Sequence, residues 1–213
     1  MLTAVPTKFP RVILENISWQ TYETILAEIG NHRTTRLAYD QGILEIMTPL
    51  MPHEHNKRLI EKLIDNLAEK LKLNLKSTGS ITCKRQGLSR GVEPDSSFYI
   101  QNEPLVRNKQ NLDLNQDPPP DLVIEVDYKS ASVDRMPIYR DLGVPEIWRY
   151  DQPVMEIYQL QAGVYIPCNV SPTFFNLPLT TEIPHFLAQS LEIGEIPMIQ
   201  AFRTWLRQSK FTK

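Results

Sequence analysis

The run Asp121-Leu122-Val123-Ile124-Glu125-Val126-Asp127-Tyr128-Lys129 constrains this chain more than any other stretch. Pro118-Pro119-Pro120 precede it and a polar turn follows, so a short apolar segment is bounded on both sides, as in a buried central strand. Two acids interrupt it. Side chains alternate faces along a strand, which puts Glu125, Asp127 and Lys129 on one face and Ile124 and Val126 on the other. A carboxylate in a buried strand must be paired or hold a cation, because a bare buried charge costs several kcal/mol or neutralises itself. Asp95, in Glu93-Pro94-Asp95 just ahead of a second candidate strand at Phe98 to Ile100, is the natural companion. Two carboxylates on neighbouring strands form a hard-oxygen site suited to Mg²⁺ or Mn²⁺.

The 213 residues fit one domain with a substantial core, since a chain of this size buries roughly 70% of its unfolded surface. A net charge of -2 excludes a surface coated in positive charge, so contact with nucleic acid would need a local basic patch. Lys84, Arg85 and Arg90, just before Asp95, form such a cluster, suited to phosphate contacts; a solvated surface is the competing reading. Cys83 and Cys168 stand far apart with no CxxC, which reads as a reduced protein. The first residues lack a basic-then-apolar leader pattern, and no apolar run approaches the roughly 18 residues of a membrane span, so a cytoplasmic location is expected.

Read in order, residues 1–17 form an arm with a short strand at Arg11 to Leu14. Ser18 caps a helix whose apolar positions run from Trp19 to Ile29, stopped by Gly30. Asp40-Gln41-Gly42 turns a hairpin between Arg36 to Tyr39 and Ile43 to Met47. The longest helix is expected over His53 to Leu73, followed by strands at Leu75 to Ser77, Ile81 to Lys84 and the Glu93 to Ile100 element. Residues 102–120 read as a flexible surface loop. After the acid-bearing strand come a helix over Ser132 to Leu142, a strand from Pro145 to Tyr150, an antiparallel pair around Gln161-Ala162, and helices at Ile183 to Ser190 and Ile196 to Arg207. Strand, helix, strand from Asp121 to Trp148 implies a parallel crossover. The fold class is α/β, a central mixed sheet flanked by helices.

Glu-Pro-Asp, then Pro-Asp-Leu-Val-Ile-Glu-Val, then a helix with Tyr139 ahead of Gly143-Val144-Pro145-Glu146-Ile147-Trp148, resembles the restriction-endonuclease-like family called Uma-two (Uma2), within the PD-(D/E)XK nuclease superfamily. The similarity covers roughly residues 18 to 160 and includes Met47-Thr48-Pro49 and the Glu54-His55 start of the long helix. It implies a restriction-endonuclease-like core over residues 18–167, with residues 168–213 as a helical extension packed on it. It also implies Mg²⁺-dependent (or Mn²⁺-dependent) phosphodiester cleavage in nucleic acid, DNA foremost, and a homodimer. Carried over by position, Asp95 matches the first acid, Glu125 the second, and Glu54 a third carboxylate from the helix. The superfamily's lysine two residues past the second acid falls here on Asp127, which cannot steady developing negative charge. In relatives a lysine four residues before the tyrosine substitutes; here that position is Arg135, a cation but a poor base. Lys129, about 13 Å along the strand from Glu125, is the second basic candidate.

Each of these residues has a plainer reading beside the catalytic one. Asp95 after a proline can fix a turn, and Asp127 can cap the turn into the next helix. Arg135 can serve as an ion-pair partner of Asp127 or Asp134. His53 and His55 bracket Glu54, but an i, i+2 pair faces apart on a helix, which argues against zinc. Trp148 and Tyr150 read as core. The rival to an endonuclease is a degenerate nuclease fold kept as a nucleic-acid-binding or protein-interaction module.

Overall fold

The computed structural model describes residues 10–30, 34–85, 87–126 and 132–209. Asp127 and Lys129 lie outside the described residues.

The first sheet grows from the hairpin. β2 (Arg36–Asp40) and β3 (Ile43–Met47) pair antiparallel, with Gln41 and Gly42 both at positive φ, 46° and 102°, as a two-residue turn of the right twist requires. β1 (Arg11–Leu14) adds on the outer side of β3, and β6 (Arg90–Val92) and β5 (Cys83–Lys84) extend the sheet beyond β2, all antiparallel. α1 (Trp19–Ile29) covers one face; Ser18 caps it by accepting the Thr21 N–H at 3.1 Å. Leu37 and Tyr39 turn to α1, where Tyr22 stacks on Tyr39 with ring centroids 4.8 Å apart. Ala38, between them, faces the other way, and Glu45 sits opposite Ala38 in the ladder.

The second sheet holds the acid-bearing strand. Its order is β11-β10-β9-β8-β7-β4, where β4 is Lys76–Ser77, β7 Ser96–Tyr99, β8 Leu122–Val126, β9 Glu146–Asp151, β10 Val154–Gln161 and β11 Val164–Cys168. β8 and β9 are parallel, joined by α4 (Met136–Leu142), and every other pairing is antiparallel, so the expected crossover is present in a mixed sheet. All five residues of β8 are buried. Leu122, Ile124 and Val126 pack against α2 (Met51–Leu71), α5 (Leu179–Ile193) and α6 (Glu195–Gln208). Val123 points to Ile138, Tyr139 and Leu142 of α4 and to Ala38 and Val92 of the first sheet.

The fold is the mixed α/β class expected, with the strands divided between two sheets flanked by helices. The chain passes from one sheet to the other at Glu93-Pro94-Asp95: Glu93 N–H still bonds Leu37 O at 3.0 Å, and Pro94 then ends the ladder because it has no N–H to give. The fold thereby delivers Asp95 beside β8.

Three expected elements shift. α2 begins at Met51 and α4 at Met136, because Pro52 and Pro137 are tolerated in a first helical turn and not later. Residues 102–120 are not a loose surface loop. They include α3 (Glu103–Val106), bury Val106 and Leu114, and are tied down by Lys76, whose ammonium donates to the carbonyls of Val106 and Lys109 at 2.7 Å each. No helix among the described residues is long and apolar enough to cross a membrane.

Candidate active site

Continuing the β7–β8 register by one residue from the Ser96–Ile124 pair sets Asp95 opposite Glu125. Both are buried, at 1% and 3% exposure. Asp95 Oδ2 accepts the Val126 N–H at 2.8 Å and stands 3.0 Å from His53 Nε2, which the first turn of α2 carries into the interior. Asp95 Oδ1 is buried and has no hydrogen-bond partner among the described residues. Burial alone would raise the Asp95 pKa. The hydrogen bond and charge of His53, with Arg135 and the Val126 N–H, outweigh it and hold the carboxyl below its ordinary range.

Glu125 shares the Val123 face and points at α4. Arg135 donates to its Oε2 at 2.5 Å, and the Tyr139 hydroxyl donates to its Oε1. Burial pushes Glu125 up to about 7, against the pull of Arg135 and with a further push from the charge of Asp95. Burial also works against the charge on Arg135, but the surrounding carboxylates, Glu125 first and Asp95 next, win and raise its pKa. Burial beside Glu125 lifts the Tyr139 pKa well above its ordinary value, so the hydroxyl keeps its proton and remains a donor.

Arg135 has a second acidic partner. Glu45, on β3 and 1% exposed, lies 3.4 Å from its guanidinium and also accepts the Ser132 N–H at 2.6 Å. Arg135 thus bridges the two sheets, through Glu125 on one and Glu45 on the other. The alternative of Asp127 or Asp134 as its salt-bridge partner gives way for Asp134, whose carboxylate instead accepts the Met136 N–H at 3.1 Å. Arg135 Nε is buried without a hydrogen-bond partner among the described residues.

The remaining candidates stand apart from this cluster. Glu54 is 41% exposed, bonds Lys57 at 2.6 Å and comes within 3.6 Å of His53 Nδ1, so it reaches the acids only through that imidazole. His55 faces elsewhere, 3.5 Å from Glu195. Lys84 pairs with Glu23, Arg90 with Asp40 and Asp141, and Arg85 donates to the carbonyls of Leu114 and Leu142. All three of these cations are committed within the protein. Glu45, the His53–Asp95 contact and the tyrosine bond to Glu125 were not expected from sequence. Glu45 carried a usable signal, an acid interrupting the apolar strand Ile43-Leu44-Glu45-Ile46-Met47 just as Glu125 interrupts its own.

The structure is a mixed α/β fold of two sheets with Asp95, just ahead of β7, and Glu125, on β8, buried beside Arg135, and the family match makes it restriction-endonuclease-like. Residues 19–193 match Uma2, a family described as "Putative restriction endonuclease". The chain belongs to the Uma2 family. Among solved structures it resembles one described as a putative nuclease belonging to DUF820 from Anabaena variabilis ATCC 29413, with a TM-score of 0.55 and 16% identity over 89% of this chain and 99% of that one. That likeness is one of fold. No curated protein sequence matches the chain significantly.

Proposed function

We propose that this chain is a nuclease that hydrolyses phosphodiester bonds in nucleic acid, DNA foremost, with a divalent cation, Mg²⁺ or Mn²⁺, held by Asp95 and Glu125. The observation that carries the reading is Asp95 Oδ1: a buried anionic oxygen with no hydrogen-bond partner among the described residues, opposite a second buried acid. Such an oxygen calls for a cation. Among the described residues no group of three or more His, Cys, Asp or Glu side chains is arranged to hold a metal, so two carboxylates and water would make up the coordination, as Mg²⁺ tolerates. Glu125 fits despite its two partners, because each carboxylate oxygen has a second lone pair beyond the one given to Arg135 or Tyr139. When bound, the ion supplies a water of lowered pKa and positive charge for the scissile phosphate.

The chain's own residues do the rest. Arg135, fixed by Glu125 and Glu45, sets a positive charge beside the two acids that offsets negative charge developing on the phosphate. Its pKa makes it a permanent cation and no base. Tyr139 and Arg135 together fix the Glu125 carboxylate in place, and His53 does the same for Asp95. A homodimer is the working assembly this reading takes from the family resemblance.

The test is plasmid nicking by purified protein in Mg²⁺ or Mn²⁺, with Mn²⁺ titration calorimetry alongside. Asp95→Asn is expected to abolish both nicking and Mn²⁺ binding. Nicking unchanged in that variant would assign the activity to something else. The rival reading, a binding module that has lost catalysis, is favoured by the closed pairing of Glu125 with Arg135 and Tyr139. It requires wild-type protein that takes up no Mn²⁺ through Asp95.

A further inference from the structure

A cavity of about 730 Å³ opens between α1, the start of β2, β5 and the segment 109–112, and it belongs to none of the machinery above. Its size is that of a small-molecule site, for which clefts of roughly 300–1,000 Å³ are usual. Four cations line it, Arg36, Lys76, Lys84 and Lys109, against two carboxylates, Glu23 and Glu93.

The ion pairs decide what charge remains. Lys84 is matched by Glu23, and Lys109 by Asp117. Glu93 accepts the Leu37 N–H at 2.9 Å and the Thr82 hydroxyl at 2.7 Å. Lys76 donates only to neutral carbonyls, those of Val106, Arg107 and Lys109. Arg36 makes no ion pair among the described residues; its hydrogen bond there is a long one, 3.4 Å from Nη1 to the Thr35 carbonyl. The charge of this half-buried guanidinium is thus left without a carboxylate partner among the described residues, and an anion in the cavity would supply one. The walls add hydroxyl groups from Thr78, Ser80 and Thr82, which accept or donate as a ligand demands.

We infer that this cavity binds a phosphate ester of nucleotide size, with Arg36 as the group that takes the phosphate. A guanidinium fork matches phosphate oxygens in geometry as well as charge, the ammonium of Lys76 adds a second cation, and the volume leaves room for a sugar and base. Glu93 on the cavity wall is two residues from Asp95, a reach of at most about 7 Å along the chain. The site is therefore distinct from the acid cluster but adjacent to it, which suits either a free nucleotide or the phosphorylated end of a strand.

Calorimetry on the full chain without divalent metal tests this, using a nucleoside 5′-monophosphate, the same nucleoside without phosphate, and a short 5′-phosphorylated oligonucleotide. Binding of the monophosphate, and not of the bare nucleoside, at up to about 1 mM is expected. Binding of only the phosphorylated oligonucleotide also supports the site and identifies a strand end as its source. Arg36→Gln should weaken binding roughly tenfold or more, the usual scale for losing a charged hydrogen-bonding group. Ser80→Glu, which introduces an anion into the cavity lining, should do the same and serves if the first variant fails to fold. Asp95→Asn should leave binding intact, so failure of the nuclease reading and failure of this one are separable. No phosphate-dependent binding, or binding unaffected by both cavity variants, overturns the inference.

Discussion

Arg135 and Glu125, ten positions apart in sequence, meet at 2.5 Å with both side chains buried. Arg135 stands at the N-cap of α4, and that helix packs on the face of β8 that carries Val123 and Glu125. A second acid, Glu45, comes to the same guanidinium from the other sheet. Removing one member of a buried ion pair leaves its partner charged and unmatched, at a cost of about 3–5 kcal/mol. Arg135→Met is therefore expected to lower the free energy of unfolding by about that amount at pH 8, measured by urea denaturation. Arg135→Lys should recover only part of it, since an ammonium cannot span two carboxylates as a fork does. An unchanged urea midpoint in Arg135→Met would show the pair to be energetically idle.

How much of this arrangement a sequence can disclose depends on the range of the interaction. Strand alternation is local, so the inward face of Glu125 was legible from its neighbours, and the hairpin followed from Gln41-Gly42. The partnership of Asp95 with β8 was legible as a suspicion, because an acid in a buried strand demands a companion. Glu45 and Arg135 are ninety positions apart and sit on different elements, and no periodic pattern links them. The same holds for His53 and Asp95: helix phase can place His53 on the inner face of α2 but cannot say which carboxylate waits there. The stretch 102–120 misleads for a different reason. Its polar composition suggests a loose loop, yet one lysine from β4 satisfies three of its carbonyls and draws Val106 and Leu114 into the interior.

Glu125 has a pH signature opposite in sign to that of an ordinary ion-paired carboxylate. Its folded-state pKa, about 7, lies above the model-peptide value of 4.5, so between these limits the folded state binds the extra proton. Stability contributed by that proton is present below pH 4.5 and is lost as the pH rises through 7. Asp95, held below 3.8, contributes the reverse: stability present above its unfolded value and lost as the pH falls through its folded one. Between pH 5 and 7.5 only Glu125 of the two changes state, so Glu125→Gln should gain on the wild type as pH rises across that window. Urea midpoints for the two proteins at both ends of the window check this; a constant difference would contradict the raised pKa.

Gly91 is a position where no side chain fits. A β-carbon built there would lie 2.9 Å from Cζ of Tyr22, the ring stacked on Tyr39 beneath α1. That ring is fully buried and cannot swing aside without unstacking. Gly91→Ala is expected to destabilise by about 1–3 kcal/mol, the usual range for forcing extra volume into a packed core. Gly91→Ala in a Tyr22→Leu background should cost much less, because the obstructing ring is gone. Thermal unfolding of the four proteins in this cycle measures the coupling, and additive effects would place the strain elsewhere.

Glu146 opens β9 within the Pro-Glu-Ile-Trp motif, yet its contacts mark it as structural. It is 1% exposed and accepts from Trp148 Nε1 at 2.6 Å, from the Ser171 hydroxyl at 2.6 Å and from the Thr173 N–H at 3.0 Å. Three donors thus converge on one carboxylate, and two of them come from the segment that leads into α5. Burial raises its pKa even against those hydrogen bonds, so the pocket holds Glu146 for its acceptor geometry at some electrostatic cost. Because Phe174 and Leu177 follow directly and sit in the core beside Trp148, the carboxylate fastens residues 171–177 to the second sheet. Glu146→Ala would leave three buried donors unmet, at about 1–3 kcal/mol apiece before relaxation. The expected result is a loss of several kcal/mol in urea unfolding, together with faster proteolytic cleavage between β11 and α5 than anywhere in β8. Glu146→Gln retains one acceptor oxygen and should lose less than half as much. If Glu146→Ala unfolds like the wild type and resists protease equally well, apolar packing alone holds the C-terminal helices to the sheet.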